Sequence, residues 1–175
     1  AMDWFESKAD SQPAFGGALH ESLPPVERRA VAAKIMPAIR GLICESQHMV
    51  GHFNDSPEVL EFVNAHQLQE LAALGTSCPD HFLRTKIRPL VVDFNPDAQD
   101  VQAVIKRLPQ EIEDYRNAYR AYYTRCQHAD SPALRDANPI VYLLPGVGMI
   151  TFAKDKATPR TSGALYATAL HLMPG

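Results

Sequence analysis

Residues 75–94 (GTSCPDHFLRTKIRPLVVDF) carry the side chains of this chain that are best suited to chemistry. A loop rich in hydroxyl, thiol, imidazole and cationic groups runs directly into an apolar, β-branched stretch. Loops that enter a sheet are where α/β proteins usually bind ligands. The candidate ligand-binding residues of this loop are Thr76, Ser77, Cys78, Asp80, His81, Arg84 and Lys86.

Three cations alternate along the second half of the loop. Arg84, Lys86 and Arg88 would share one face if the segment were extended, because successive side chains of a strand point to opposite faces. With Thr76 and Ser77 as donors, they could then hold a phosphate or a carboxylate. A network of salt bridges to acidic neighbours would explain the same cations equally well.

Cys78 and His81 suggest a second kind of chemistry. They lie three positions apart beside Asp80, and a thiol next to an imidazole is one way to activate a nucleophile. A free-standing enzyme that uses Cys78 and His81 on aldehydes or acyl groups is therefore the alternative function. Pro79 favours the structural interpretation, in which the thiol is buried beside a capped helical turn.

The turn at 146–148 (GVG) is the second candidate ligand-binding element. It follows an apolar strand, and the backbone amides of Gly146 and Gly148 could face an oxyanion. It resembles the start of a dinucleotide fingerprint, but a third glycine is missing and the following residues look like strand. We therefore expect no bound cofactor.

His48 and His52 have the spacing at which two histidines of a helix can share a metal ion. Their neighbours Val50 and Phe53 favour a strand instead. Four residues of a strand span about 13 Å, which is too far for one ion. We expect no metal site in this chain.

The periodicity of the apolar residues predicts a layered α/β domain in which helices cover a mixed sheet of about four strands. Pro37 and Pro109 should bend, interrupt or split their helices. The tyrosines at 115, 119 and 122 lie on the apolar stripe of the longest helix, as core or interface residues. The predicted helices span 24–43, 57–65, 97–126 and 158–173, with a further turn at 68–74, and the predicted strands span 47–53, 89–94, 140–144 and 149–153.

Residues 1–22 have no sustained periodicity and predict a flexible N-terminal arm, in which Trp4, Phe5 and Phe15 could hold a neighbour. We expect residues 23–175 to form a single α/β domain. The arm and the tyrosine stripe together suggest an assembly module, and we expect a homo-oligomer.

The composition excludes several classes of partner. The net charge is −3, the pI is near 6.2, and cations are scattered along the chain, so we expect neither nucleic acid nor membrane as a partner. Three cysteines without C-x-x-C spacing, and an N-terminus without the pattern of a signal peptide, predict a reduced, cytoplasmic protein.

Three segments in this order resemble the middle of bacterial bifunctional rhamnulose-1-phosphate aldolase/short-chain alcohol dehydrogenases. They are NDSPEVLEFVN (54–64), LGTSCPDHFLRTKIRPLVV (74–92) and NPIVYLLPGVGMITFAKDKATPR (138–160). In that family, a class II aldolase/adducin-like domain with a histidine-bound metal precedes this region, and an NAD-binding short-chain dehydrogenase domain follows it.

The resemblance implies a central, non-catalytic domain of a protein of rhamnose catabolism, with the flanking aldolase and dehydrogenase domains as partners. The aldolase's histidine cluster and the dehydrogenase's Tyr-x-x-x-Lys have no counterpart here. Residues 143–150 are similar to the strand-turn-strand of class II aldolases in which a histidine binds the metal, and Val147 stands in its place. The fold is therefore expected to be a degenerate class II aldolase-like lobe, with a sugar phosphate or another anion as its candidate ligand.

Overall fold

The protein is described by a computed structural model that covers residues 13–44, 47–76, 78–171 and 173. These ranges contain the α/β arrangement that the periodicity predicts. The helices are α1 (Pro25–Ile43), α2 (Pro57–Val63), α3 (Leu68–Leu74), α4 (Pro79–Thr85), α5 (Val101–Cys126) and α6 (Ala157–Leu170). The strands are β1 (Val50–Asn54), β2 (Leu90–Val91), β3 (Val141–Leu144) and β4 (Gly148–Ala153).

The four strands form one mixed sheet in the order β1-β4-β3-β2. The β1/β4 and β4/β3 pairs are antiparallel, and β2 runs parallel to β3. The predicted mixed sheet of about four strands is thereby confirmed. β1 and β2 lie at the two edges, so β3 and β4, in which every residue except Ala153 is buried, occupy the centre, where both faces are covered.

Helices cover both faces of the sheet. Alternate side chains of β3 enter different cores: Tyr142 and Leu144 pack with α1 and α5, whereas Val141 and Leu143 pack with α2, α3 and α6. This is the period-2 alternation of a strand that is buried on both sides. The result is three layers, with helices on either side of a central sheet.

The two prolines inside helices neither interrupt nor split them, so that part of the expectation is wrong, and a bend or kink at each proline stays a prediction. Pro37 lies within α1 and Pro109 within α5, and each helix continues through its proline. Ile35 and Ile39 flank Pro37 and are fully buried. The burial of these side chains before and after Pro37 stabilises the continuous helix. This stabilisation outweighs the cost of the backbone hydrogen bond that Pro37 cannot donate.

The region between β2 and α5 differs from the prediction at both ends. The strand expected at 89–94 is reduced to β2, because the chain turns at once and the Phe94 amide donates to the Val92 carbonyl (2.8 Å). The helix expected from residue 97 begins at Val101. Asp100 is its N-cap and accepts a hydrogen bond from the Ala103 amide (2.9 Å).

The described part of the expected N-terminal arm, residues 13–22, is packed rather than loosely held. The Phe15 ring is buried against Phe62, with 5.1 Å between the ring centres. The amides of Leu19 and His20 both donate to the Asn64 carbonyl. Phe15 therefore belongs to this domain's own core, while Trp4 and Phe5 lie outside the described residues.

In the described part of the chain, no helix is both long and apolar enough to cross a bilayer.

Candidate functional site

The loop that the sequence singles out is helical where an extended segment would be needed to align its cations. Cys78 is the N-cap residue of α4, Pro79 occupies the first helical position, and the Thr85 hydroxyl donates to the His81 carbonyl (2.9 Å). The condition under which Arg84, Lys86 and Arg88 would share one face is therefore not met, because Arg84 lies within α4 and Lys86 is its C-cap residue. Proline at the first helical position, with its fixed φ, is the local signal that favours the helix.

The remaining candidates of this loop do not converge on one point. Asp80 and Arg84 are exposed, Thr76, Cys78 and His81 are half-buried, and Ser77 lies outside the described residues. The Nδ1 atom of His81 is buried and has no hydrogen-bond partner, so it does not accept a proton from Cys78 at that atom. The backbone of α4 is instead attached to α6, because the Arg84 carbonyl accepts a hydrogen bond from the Ser162 hydroxyl (3.0 Å).

The Lys86 side chain is buried, and its ammonium group faces the protein interior instead of a ligand-binding surface. Its Nζ donates to the backbone carbonyls of Asp136 and Asn138, and it lies 4.4 Å from the centre of the Tyr119 ring. Burial lowers the pKa of the Lys86 ammonium to about 8, and the Asp136 carboxylate acts in the opposite direction. With its donors occupied by main-chain oxygens, Lys86 fixes the loop 136–138 against α5.

The tyrosine stripe of α5 packs against the same chain. Tyr115 is buried and donates to the Arg88 carbonyl (2.8 Å), and the centre of the Tyr122 ring lies 6.1 Å from that of Tyr119 and 6.4 Å from that of Phe82. The Tyr119 ring stacks on that of Tyr115, with 6.5 Å between their centres. Desolvation raises the pKa of both phenols, which keeps them neutral. The core interpretation of the stripe therefore accounts for these contacts.

The glycine turn is fully buried, contrary to the expectation that its amides are open to an oxyanion. The Gly146 amide donates to the side-chain oxygen of Asn64 (2.6 Å), and the Val147 amide donates to the Leu144 carbonyl (3.1 Å). A Cβ at Gly148 would lie 2.6 Å from the Asn54 carbonyl oxygen, so the backbone is tightly enclosed there as well. Gly146 and Gly148 thus shape the β3–β4 connection.

Val147 is a core residue in this arrangement. Its side chain is fully buried and packs in the cluster formed with α1 and α5. Among the described residues, no group of three or more His, Cys, Asp or Glu side chains is arranged to hold a metal ion.

A cleft that the sequence analysis missed lies between β1 and the start of α6. Its volume is about 420 Å³, and it is lined by Val50, Gly51, His52, Lys156 and Arg160. Lys156 and Arg160 are four positions apart at the start of a helix, a spacing that places two side chains on one helix face. That spacing could have indicated a pair of cations on one helix face. Nothing in the sequence indicated that His52, on a distant strand, would face the same cleft.

The electrostatics of the cleft are those of a cationic surface. His52 is half-buried, and burial together with the positive charge of Arg160 lowers the pKa of its imidazole. Lys156 and Arg160 are exposed, and no carboxylate of the described residues lies within 4.0 Å of either cation. The cleft can therefore attract an anion, which neither α4 nor the glycine turn is arranged to hold.

Two comparisons place the chain among known sequences. A family model described as "Aldolase class II, second domain" matches residues 30–175. The chain is 37% identical over 175 residues to the "Uncharacterized oxidoreductase YuxG" of Bacillus subtilis (strain 168), covering 100% of this chain and 25% of that protein. The chain thus spans about a quarter of the length of this curated relative. No solved structure matches it.

Proposed function

Because this chain belongs to the aldolase class II second-domain family, we propose that it is a non-catalytic α/β domain of a longer enzyme of sugar metabolism. In that enzyme, the domain lies between an aldolase domain, which cleaves a ketose 1-phosphate, and a short-chain dehydrogenase domain, which oxidises the resulting aldehyde with NAD. The sugar is rhamnulose 1-phosphate, and the pathway is rhamnose catabolism. The role of the domain is to join and position its neighbours.

The full-length alignment supports a place inside a longer polypeptide. The relative is about four times as long as this chain, and it is named as an oxidoreductase. The three segments at 54–64, 74–92 and 138–160 support the more specific assignment, because they resemble the middle of the aldolase/dehydrogenase fusion. The relative thus contains a region similar to this aldolase-related domain and is itself named as an oxidoreductase. That combination is consistent with a cleavage reaction followed by an oxidation.

The observation that carries the non-catalytic role is the burial of Val147. Its side chain is 0% exposed, at the position where the resemblance places a metal-binding histidine of class II aldolases. Valine has no lone pair with which to bind a cation, and the surrounding core is closed over it. A lobe that keeps the fold and replaces this ligand is suited to packing rather than to catalysis.

The catalytic part of the proposal is tested on the purified chain. We expect no cleavage of rhamnulose 1-phosphate with added Zn²⁺ or Mg²⁺, and no oxidation of lactaldehyde with NAD. Turnover that the substitution His81→Ala abolishes would contradict the proposal, because it would assign catalysis to this chain. Turnover that survives His81→Ala and Cys78→Ala at equal rate would point to a contaminating enzyme.

The joining role makes a prediction about exposed apolar side chains. Leu74 and Leu83, on either side of the 75–82 segment, are about three-quarters exposed (74% and 75%). If a flanking domain covers them, Leu74→Gln and Leu83→Gln will leave the stability of this chain nearly unchanged. The same substitutions will lower the melting temperature of the longer protein that carries the domain. Equal melting temperatures in the longer protein would argue against contact at these two side chains.

A further inference from the structure

The cleft between β1 and α6 lies along an edge of the sheet. β1 pairs only with β4 in the described sheet, so its other edge carries no strand. Val50 and His52 share one face of β1, and Gly51 contributes backbone because its Cβ position is directed at Met36 and Phe152. The floor of the cleft is therefore a strand, and α6 provides its cationic wall.

The nearest acid in the sequence, Asp155, forms no ion pair with that wall. The Asp155 carboxylate is committed to the first turn of α6, where it accepts hydrogen bonds from the Ala157 amide (2.8 Å), the Thr158 amide (2.8 Å) and the Thr158 hydroxyl (2.6 Å). Lys156 and Arg160 therefore face the cleft without a carboxylate of the described residues within ion-pair distance. This is notable in a chain whose net charge is −3.

We propose that this cleft binds a small organic molecule through an oxyanion, held by Arg160, Lys156 and His52. The planar guanidinium of Arg160 matches two oxygens of a phosphate or carboxylate, and the Lys156 ammonium adds a point charge. The His52 imidazole supplies one further hydrogen bond. The proposal concerns ligand binding only and does not depend on the joining role proposed above.

The size of the cleft argues for more than a bare ion. The cleft is an open surface feature with a volume of about 420 Å³, which leaves room beside the cations for a small carbon body. Val50, which is 39% exposed, and the backbone of Gly51 offer a surface for the carbon part of the ligand. A phosphate monoester or a carboxylate with a short carbon chain fits this combination of charge and shape.

Calorimetric titration at pH 7 and low ionic strength tests the proposal with four probes. Glycerol 3-phosphate and lactate carry the two kinds of oxyanion on three-carbon bodies, inorganic phosphate lacks the body, and glycerol lacks the charge. We expect glycerol 3-phosphate or lactate to bind more tightly than phosphate, and glycerol to give no heat. The organic anion that binds more tightly shows whether the cleft prefers a phosphate or a carboxylate. Absence of heat from all three anions would overturn the proposal.

Substitutions in the cleft provide the matched control. Arg160→Gln and Lys156→Gln should each weaken binding by about tenfold, because each removes a charge-assisted hydrogen bond. Lys154→Gln makes the same change in net charge at an exposed residue outside the cleft and should change the affinity by less than about twofold, as expected for a screened surface charge. Equal losses in all three variants would assign the effect to general surface charge and overturn the proposal. Because all three residues are exposed, the melting temperatures of the three variants should stay close to that of the unsubstituted chain.

A second readout locates the ligand independently of affinity. The imidazole proton resonances of His52 should shift on addition of the bound anion, whereas those of His128, an exposed histidine on the loop after α5, should not. A saturable shift of His52 alone supports the site. Binding heat without any shift of His52 would place the anion elsewhere and contradict the proposal.

Discussion

The Lys86 ammonium lies 4.4 Å from the centre of the Tyr119 ring while it donates to the main-chain carbonyls of Asp136 and Asn138. Tyr119 is on α5, and the carbonyls belong to the loop that leads into β3. Lys86 itself adopts a left-handed backbone conformation (φ +62°) directly after α4. One side chain thus connects three segments that are distant in the sequence.

Replacement of Lys86 by methionine should destabilise the fold. The apolar stem is retained, but the carbonyls of Asp136 and Asn138 lose their donor, which costs about 1–3 kcal/mol at pH 7. Urea denaturation of the two proteins measures this difference. Lys106→Met is the matched control, because Lys106 is exposed on α5 and its replacement should change the stability by less than about 0.5 kcal/mol.

The difference between the chain and its Lys86→Met variant should grow as the pH rises. Burial lowers the pKa of Lys86 to about 8 in the folded state, whereas an unfolded lysine titrates near about 10.4. Between these values the unfolded chain binds more protons, so the stability rises with pH by up to about 1.4 kcal/mol per unit. The gain is lost as the pH falls through the folded pKa. A difference that stays constant from pH 7 to 9.5 would contradict the inferred burial of the charge.

Loss of the Asn64 side chain should weaken the β3–β4 connection. Asn64 is 5% exposed, its oxygen accepts from the Gly146 amide (2.6 Å), and its nitrogen donates to the Ser22 hydroxyl (2.8 Å). Asn64→Leu leaves a buried amide without an acceptor, which should cost about 1–3 kcal/mol in chemical denaturation. Ser22→Ala removes only an exposed partner and should cost less than Asn64→Leu. Equal costs would show that the contact with Gly146 contributes little.

Local patterns predicted the layers of the fold because burial imposes them. The runs at 140–144 and 149–153 were predicted as strands and correspond to β3 and β4, and the three-to-four periodicity of α5 was recognisable across Pro109. These patterns depend only on neighbours in the sequence. The strand at 89–94 was overestimated, because the turn after Val92 is closed by a local backbone bond rather than by a glycine.

The candidate site was less predictable, because the direction of a long polar side chain depends on tertiary contacts. Lys86 and Arg84 looked equivalent in the sequence, yet one is buried under Tyr119 and the other is exposed. The cleft brings His52 and Arg160 together across more than a hundred residues, and no local spacing encodes such a pairing. The sequence shows that residues 76–88 are rich in cations. It could not show which of these cations would be buried and which would be exposed.

Two glycine substitutions should have opposite effects. Gly146 has φ +74°, and an added Cβ would lie 2.4 Å from the Pro96 side chain, so Gly146→Ala should lower the stability by more than about 1 kcal/mol. Gly41 lies inside α1, and outside its two chain neighbours and the adjoining helix backbone no atom lies within 4 Å of the added Cβ. Gly41→Ala should therefore raise the stability by about 0.5–1 kcal/mol. Thermal denaturation of both variants tests this, and a stabilised Gly146→Ala protein would contradict the described turn.

The three cysteines should react with iodoacetamide in the order of their exposure. Cys126 is exposed at the end of α5, whereas Cys44 and Cys78 are half-buried. We expect Cys126 to be modified first, as followed by mass spectrometry of peptides at pH 7. A Cys–His enzyme would instead require an activated thiolate that reacts fast and selectively at Cys78. Preferential modification of Cys78 would therefore favour the alternative function and count against the non-catalytic role.

The imidazole of His52 should titrate below the usual pKa of about 6.5 for histidine, because burial and the charge of Arg160 both disfavour its protonation. Arg160→Gln removes the second cause and leaves the first, so the pKa should rise toward 6.5 without exceeding it. Lys154→Gln should leave it unchanged. Since the folded-state pKa is lowered, the unfolded chain binds more protons as the pH falls below about 6.5, and acid should destabilise the fold through this group. Proton NMR titration of the histidine resonances measures the shift, and a His52 pKa that does not respond to Arg160→Gln would mean that the two side chains do not face the same cleft.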